Sequence, residues 1–255
     1  MARLKSYVPI GALPILGLIG LWYFVSQAGV YSAALFPSPM EVGKVFISDY
    51  ALLLRHTQAS MLRVVTGILI AVITAVPLGL LIGRYARLEQ LLDWTIQIFR
   101  CFPAIALIPL AIMFFGIGER PAIILIWFAS FWPLLISTIF GVKNVERTLF
   151  AVAQVARAPD RLILTDILLP NALPAIINGL RLAAATGWLT VVTAEMMAVR
   201  SGLGYMILYA QTVFRPDQVL AGIIIIGVVG LAFDYVIKLL RNRACRWQEG
   251  LVLTS

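Results

Sequence analysis

Apolar runs of membrane-spanning length constrain this chain more than any other feature. Six mainly apolar stretches, at about 8–25, 64–82, 96–117, 121–142, 172–198 and 219–240, punctuate its 255 residues. A helix that crosses the hydrocarbon layer needs roughly 20 such residues. Hydrophobic residues make up 61% of the chain and charged residues only 13%. Soluble domains are nearer about half apolar and about a quarter charged. A globule of this size cannot hide so much apolar surface, so lipid is the implied solvent. The expected fold class is all-α, a polytopic membrane protein of about six transmembrane helices. No polar linker sets off a soluble domain, and residues 1–255 read as a single transmembrane domain.

The net charge of +8 does not point to nucleic acid, because the basic residues are spread along the chain and sit at the ends of apolar runs. Six spans put both termini on one side. Twelve of the 20 Lys and Arg then share that side, among them Arg3, Lys5, Arg84, Arg87, Lys143 and Arg246, against five on the other. Cytoplasmic loops carry the basic excess, so both termini are expected in the cytoplasm, with lipid around the spans. The start resembles a signal peptide in its charge and apolar core. Its apolar stretch is long enough to span, however, and it reads as a retained first helix.

Several chemistries are excluded. There is one histidine, His56, and there are two cysteines, Cys101 and Cys245, without metal-ligand spacing. Neither a His-based metal cluster nor a disulfide framework is expected. No GxxxxGK[ST], HExxH or GxSxG occurs, so the chain carries neither its own ATP-hydrolysing loop nor those hydrolase motifs. No cofactor is expected in this chain.

Between the first two runs, Pro37 and Pro39 mark a turn. Residues 40–54 then read either as an amphipathic helix on the outer interface or as an ordinary solvated helix. Between the fourth and fifth runs lies a longer polar connection, to Pro170. Helical character is expected up to Ala158; Pro159 interrupts it, and Asp160 is placed to cap a new helix from Arg161.

Polar residues inside the runs are the candidates for a pathway. Pro103 and Pro109 each lack a backbone N–H, and a broken helix in lipid must face protein or a water-filled cavity. Arg100 admits two readings, attraction of an anion through the pore or a side chain snorkelling to lipid phosphate. Arg181 and Glu195 are 14 residues apart in one run. On a straight helix that is about 21 Å, too far to pair directly. Each needs another partner, and Glu195 reads as a gate or as an ion-pair member near the outer end. Ser201-Gly202-Leu203-Gly204 is a glycine turn that either shapes a docking mouth or simply re-enters the membrane.

The polar segment 151–170 resembles the cytoplasmic pattern of ABC-importer permeases: EAA, three residues, Gly, nine residues, Ile, one residue, Leu-Pro. Ala153, Ile167, Leu169 and Pro170 match it in spacing, while Ala151 stands at the Glu, Val152 at the first alanine and Arg157 at the glycine. The stretch 99–123 is similar to the third span of permeases for nitrate, taurine and aliphatic sulfonates, with Arg100, Pro103, Pro109, Leu110, Phe115, Gly116 and Ile117 matching. The stretch 169–207 resembles the same subfamily's fifth span.

The resemblance implies a cytoplasmic coupling helix between the fourth and fifth spans, at about 146–170, that docks on an ATPase. Ala151, Val152, Ala153, Arg157, Ala158, Pro159, Ile167, Leu169 and Pro170 would form it. It further implies a homodimer of permease, two ATP-binding cassette subunits that bind ATP and Mg, and a periplasmic or lipid-anchored substrate-binding protein. The cargo would be a small anion such as nitrate, taurine or another sulfonate. The pathway candidates are Arg100, Pro103, Pro109, Arg181 and Glu195. An ion-gradient-driven secondary transporter is the alternative; it leans on Glu195 alone and lacks the internal repeats common in that class.

Overall fold

A computed structural model describes residues 8–28 and 35–245, with only the backbone given for 8–12, 147, 150, 151 and 154. The basic residues Arg3, Lys5 and Arg246 of the topology argument lie outside the described residues, as does the side chain of Ala151. Among the described residues every regular element is helical.

The chain opens with an apolar helix α1 (Val8–Gln27), tied to the next loop by Trp22 Nε1 donating to Pro37 O at 3.1 Å. Helix α2 (Pro39–Ser48) begins with a reciprocal cap. The Glu41 carboxylate accepts from Ser38 N at 2.7 Å, while Ser38 Oγ accepts from Glu41 N at 3.3 Å. Those bonds from Ser38 hold the Glu41 carboxyl below the usual carboxylate range. Val42 and Val45 are its buried face. The helix expected over 40–54 is therefore divided at Asp49, and its second part belongs to the next helix, α3 (Tyr50–Arg84).

Three helices make the body: α3, α6 (Glu119–Lys143) and α9 (Leu169–Ala198). They pack along most of their lengths. Small residues allow the backbones to approach, as in membrane bundles generally. A Cβ at Gly79 would lie 2.7 Å from Thr138 Cβ, and one at Gly179 only 2.5 Å from Ser137 Cβ. Helix α10 (Leu203–Thr212) and α11 (Pro216–Ala244) close the bundle on the α9 side.

The third apolar run is not one span with two kinks. Helix α4 (Ala86–Arg100) ends before Pro103; a 3₁₀ turn (Ala104–Leu107) follows, and then α5 (Ile108–Phe115). The two halves meet at 83°. Pro103 forces Phe102 off the helical path and precedes the new turn. Pro109 breaks nothing: it sits in the first turn of α5, where its missing N–H has no intrahelical partner to lose. Among the described residues, four helical stretches are long and apolar enough to cross a membrane, or five with this bent pair. The chain is a multi-pass membrane protein.

Between α6 and α9 stands the short α7 (Arg147–Val155). Its end is a tight left-handed cap. Arg157 has φ +50°, Ala156 N donates to Val152 O at 2.9 Å, and Ala158 N reaches back to Ala153 O at 3.0 Å. This six-to-one bond with a left-handed residue inside it is the Schellman motif, whose left-handed position favours glycine. The glycine of the permease pattern falls at this residue, and here an arginine carries the strain. The chain then runs through α8 (Asp160–Leu162) and a π-helical stretch (Ile163–Leu168) into α9 without a break, one rod of 39 residues, Asp160–Ala198. Asp160 does not cap it. Pro159 takes the cap position, and Asp160 lies inside the helix with its carboxylate 3.6 Å from Arg84 at the end of α3. Pro170 has no N–H to return to the carbonyl four residues back, which accounts for the widening just before it. Replacing Arg157 with Gly removes the left-handed cost, worth about 1 kcal/mol. Hydrogen exchange at the Ala158 amide should slow about fivefold in that variant; equal or faster exchange would show the turn to be unstrained.

Candidate functional site

The deepest polar feature is built around Arg63, midway along α3 and 2% exposed. Its Nη1 donates to Glu195 Oε1 at 2.6 Å and to Ser201 O at 2.8 Å. Nε and Nη2 grip Glu119 at 2.5 and 2.6 Å, and Nη2 also donates to Ser201 Oγ at 2.5 Å. A guanidinium has five N–H donors, and each of these has an acceptor. Glu195 is fully buried on α9 and accepts from Ser60 Oγ and from Gly204 N, both at 2.9 Å. Ser60 Oγ in turn accepts from Leu203 N at 2.9 Å, and His56 Nδ1 accepts from Gly202 N at 3.0 Å.

The glycines of the following turn are there for this carboxylate. Gly202 has φ +102°, and a Cβ on it would fall 2.2 Å from the Glu195 carboxyl. A Cβ on Gly204 would fall 2.2 Å from Val192 O. The network ties α3, the start of α6, the end of α9 and the start of α10 at one end of the bundle. The α7 turn lies at the other end, beside Arg84.

A second feature lies where the bent pair meets α6 and α9. A cavity of about 550 Å³ is lined by the elbow residues Arg100–Ile105 together with Phe128, Trp132, Thr186, Leu189 and Thr190. Arg100 has no hydrogen-bond or ion-pair partner among the described residues. Trp132 stacks on Phe99 at 5.8 Å, and its buried indole N–H also lacks a partner among the described residues. A smaller cavity of about 220 Å³ continues past Arg100 and Ile136 toward Asp93, Glu89 and Lys143. Arg100 stands between the two. A salt bridge from Lys143 to Glu89 holds α4 against the end of α6.

The pathway candidates separate accordingly. Arg100 and Pro103 meet in the larger cavity, while Pro109 opens the neighbouring helix. Arg181 does not meet Glu195. It pairs with Asp234 of α11, Nη2 to Oδ2 at 3.0 Å, and stays 56% exposed. Of the coupling candidates, Ala151, Val152 and Ala153 lie on α7, where Val152 is 66% exposed and Ala153 buried. Arg157, Ala158 and Pro159 form its turn, and Ile167, Leu169 and Pro170 lie further on, in the π-helical stretch and the start of α9. Val155, at the end of α7, is 87% exposed. Sequence reasoning passed over Arg63, Ser60, His56 and Glu119. Their one legible signal was Arg63 itself, a charge at the edge of an apolar run. The residues it binds lie 56, 132 and 138 positions away.

The fold and these sites are those of a membrane permease assembled from a packed helical bundle, a bent span and a polar helix–turn–helix connection. Residues 57–245 match the family described as the binding-protein-dependent transport system inner membrane component, and the chain belongs to that family. It is 36% identical over 235 residues to SsuC of Bacillus subtilis (strain 168), named for aliphatic sulfonates transport, covering 91% of this chain and 85% of that one. It is 33% identical over 245 residues to the taurine transport system permease protein TauC of Escherichia coli (strain K12), covering 93% and 88%. Its fold is that of a chain in inward-facing structures of the MetNI methionine ABC transporter, with a TM-score of 0.69 at 16% identity, covering 76% of this chain and 97% of that chain. The protein is thus a permease subunit of an ABC importer and not an enzyme; the ATPase of such systems is a separate subunit. The secondary-transporter alternative is set aside.

Removing one member of a buried pair strands the other, at about 3–5 kcal/mol. Arg63→Met and Glu195→Gln should each lower the thermal midpoint of the purified protein sharply. The double variant should cost less than the two losses added, since both act on one network. Strictly additive losses in a double-mutant cycle would mean that the two side chains do not stabilise one another.

Proposed function

We propose that two copies of this chain form the pathway of an ATP-driven importer in a bacterial inner membrane, with six spans each and both termini in the cytoplasm. A binding protein, periplasmic or lipid-anchored, delivers the cargo on the outer side. Two ATP-binding cassette subunits, which hold ATP and Mg, dock on the cytoplasmic side. The cargo is a small anion such as taurine, nitrate or another sulfonate, a reading that rests on what the relatives are named for and on the resemblance of the third and fifth spans.

The observation that carries the proposal is the exposure of Val152 and Val155 on a helix of 9 residues between two membrane-length helices. Exposed valines on a short polar connection suit a docking face that a partner covers. The turn at Arg157, Ala158 and Pro159 passes force from that face into the rod Asp160–Ala198, by way of Ile167, Leu169 and Pro170. ATP-driven closure of the ATPase pair would move the rod, and the rod would move the outer end through Glu195.

Arg100, Pro103 and Pro109 serve the pathway through the elbow. Arg181 is assigned to it with Asp234 as its counter-ion, because an exposed ion pair in mid-span needs water or protein around it rather than lipid. Glu195 takes the second of its two sequence readings, an ion-pair member that anchors the outer mouth, since a fully buried carboxylate cannot line an open channel.

Val155→Asp places a charge on the docking face without touching the core. It should lower ATP-driven uptake about tenfold or more, the loss expected when a buried apolar contact becomes a desolvated charge, while leaving the amount of permease in the membrane unchanged. Co-purification of the ATPase with the variant, at the wild-type ratio and with normal uptake, would rule out this face as the coupling surface.

A further inference from the structure

A group of unpartnered donors lies at the end of the bundle that carries the Arg63 network. It lines a cavity of about 490 Å³ between the start of α3, helix α10 and the start of α11. His56, only 9% exposed, stands in its wall. Its Nδ1 accepts from Gly202 N at 3.0 Å, so the ring proton sits on Nε2, and Nε2 has no partner among the described residues. Tyr205 and Tyr209, one turn apart on α10, stack with ring centres 6.2 Å apart. Their two hydroxyls also lack partners among the described residues. Arg215 completes the wall. Its Nη2 donates to Asp217 at 2.7 Å and to Asp49 at 3.2 Å, and its Nε donates to Asp217 at 3.1 Å. Nη1 is unused among the described residues.

Charge and depth together choose the ligand. An imidazole N–H, two phenols and a guanidinium N–H suit an oxyanion, which can accept from all of them. An anion arriving alone is disfavoured, because Arg215 is already answered twice and two carboxylates stand beside the one cation. Arg55, Glu41 and Lys44 lie further out, are exposed and are screened by water. A ligand that brings its own ammonium removes the conflict. Its cation meets Asp49, Asp217 and the faces of the tyrosine rings, which attract cations. The depth is set by the spans. Gln218 directly precedes the apolar run 219–240, Tyr205 follows the run that ends at 198, and His56 precedes the run 64–82. The cavity therefore stands just beyond the ends of three apolar runs, at the level of the polar headgroup region and of aromatic belts. Leu52, Tyr209 and Val213, all exposed, give its mouth an apolar rim.

We infer that this cavity is a site for the head of a zwitterionic phospholipid, a phosphodiester joined to a primary ammonium as in phosphatidylethanolamine. The bound lipid bridges α3, α10 and α11 and braces the turn in which Gly202 donates to His56. The same head chemistry exists in soluble form, but the apolar rim and the depth select the lipid. The inference requires only that the chain cross a membrane, so it stands or falls apart from the importer reading.

The test is native mass spectrometry of the full chain, stripped of lipid in detergent. It is titrated with phosphatidylethanolamine, with anionic phosphatidylglycerol and with a glucosyl diacylglycerol that has no phosphate. The first phosphatidylethanolamine should bind about fivefold tighter, or more, than either other lipid, the worth of one added hydrogen-bonded contact. Tyr205→Phe with Tyr209→Phe keeps both rings and removes two hydroxyls that bind nothing within the described residues, so the lipid-free chain should fold as before. That double variant should weaken phosphatidylethanolamine about tenfold or more, as expected for lost hydrogen bonds to a charged group. Asp217→Asn removes a partner of the ammonium and should bring phosphatidylglycerol to within about twofold of phosphatidylethanolamine, a change in selectivity that lost packing would not produce. Soluble glycerophosphoethanolamine should not displace the lipid. Equal affinities for the three lipids, indifference to the double variant, unchanged selectivity in Asp217→Asn, or displacement by the soluble head would each overturn the inference. Hydrogen exchange in α10 gives a second readout. It should slow when phosphatidylethanolamine is added to the lipid-free chain; slowing on addition of a binding protein instead, with no response to the lipid, would assign the cavity to a protein partner and overturn the lipid site.

Discussion

A guanidinium enclosed in an apolar bundle has to be matched donor by donor, and the arrangement of one end of this protein follows from matching Arg63. Five N–H groups in a planar fork require acceptors from several directions. Glu195 comes from α9, Glu119 from the start of α6, and Ser201 from the turn after α9. Each contact fixes the rotation of a helix about its own axis, which hydrophobic packing in lipid leaves loose because lipid tails are as apolar as the side chains they replace. Glu195 then dictates the turn. Its second oxygen needs donors, Ser60 and the Gly204 amide supply them, and a side chain at Gly202 or Gly204 would occupy the space already taken.

That clamp gives the long rod a fixed far end. From Asp160 to Ala198 the chain is helical without interruption, a lever of roughly 55–60 Å at 1.5 Å per residue. One end carries the α7 turn and the other carries Glu195. Close packing along α6, with Gly141 and Gly179 taking the place of side chains that would clash, resists bending in between. Displacement at the polar end must therefore appear at the clamped end, together with whatever α3 and α6 carry. The π stretch ahead of Pro170 is the one place in the rod where the hydrogen-bond ladder changes register, and it lies next to the turn rather than in mid-span.

Much of this was legible in the chain. The apolar runs matched the helices to within a few residues in α6, α9 and α11. Helix α3, by contrast, starts at Tyr50, well before its apolar run at 64–82, because its first turns carry polar residues. The pattern ending in Ile167, Leu169 and Pro170 located the polar connection. Two misreadings share a cause, since proline was weighed by its presence and not by its position. Pro109 opens a helix because the first turn has no bond to lose, and Pro159 takes the cap position that Asp160 was expected to fill. The Arg63 network was illegible for another reason. Its partners lie in different helices, so no spacing along the sequence links Ser60 to Glu195 or His56 to Gly202. The glycine of the permease pattern, by contrast, acquires its reason only in three dimensions. It marks a left-handed residue, and Arg157 occupies that conformation without glycine's freedom.

The bent pair completes the division between rigid and open parts. Where α3, α6 and α9 satisfy their backbone groups within themselves, the chain at Cys101–Leu107 leaves regular helix, and non-helical backbone at membrane depth persists only against protein or water. The cavity beside it supplies that setting. Its one unpaired cation stands at the passage to the smaller cavity near Lys143. The elbow is thus open because a proline at 103 ends a helix inside an apolar run, and the space that the missing turn would have filled becomes a cavity with Arg100 on its wall. The Arg63 network lies at one end of the three long helices and the α7 turn at the other, while this fourth wall is held to α6 by Lys143 and Glu89.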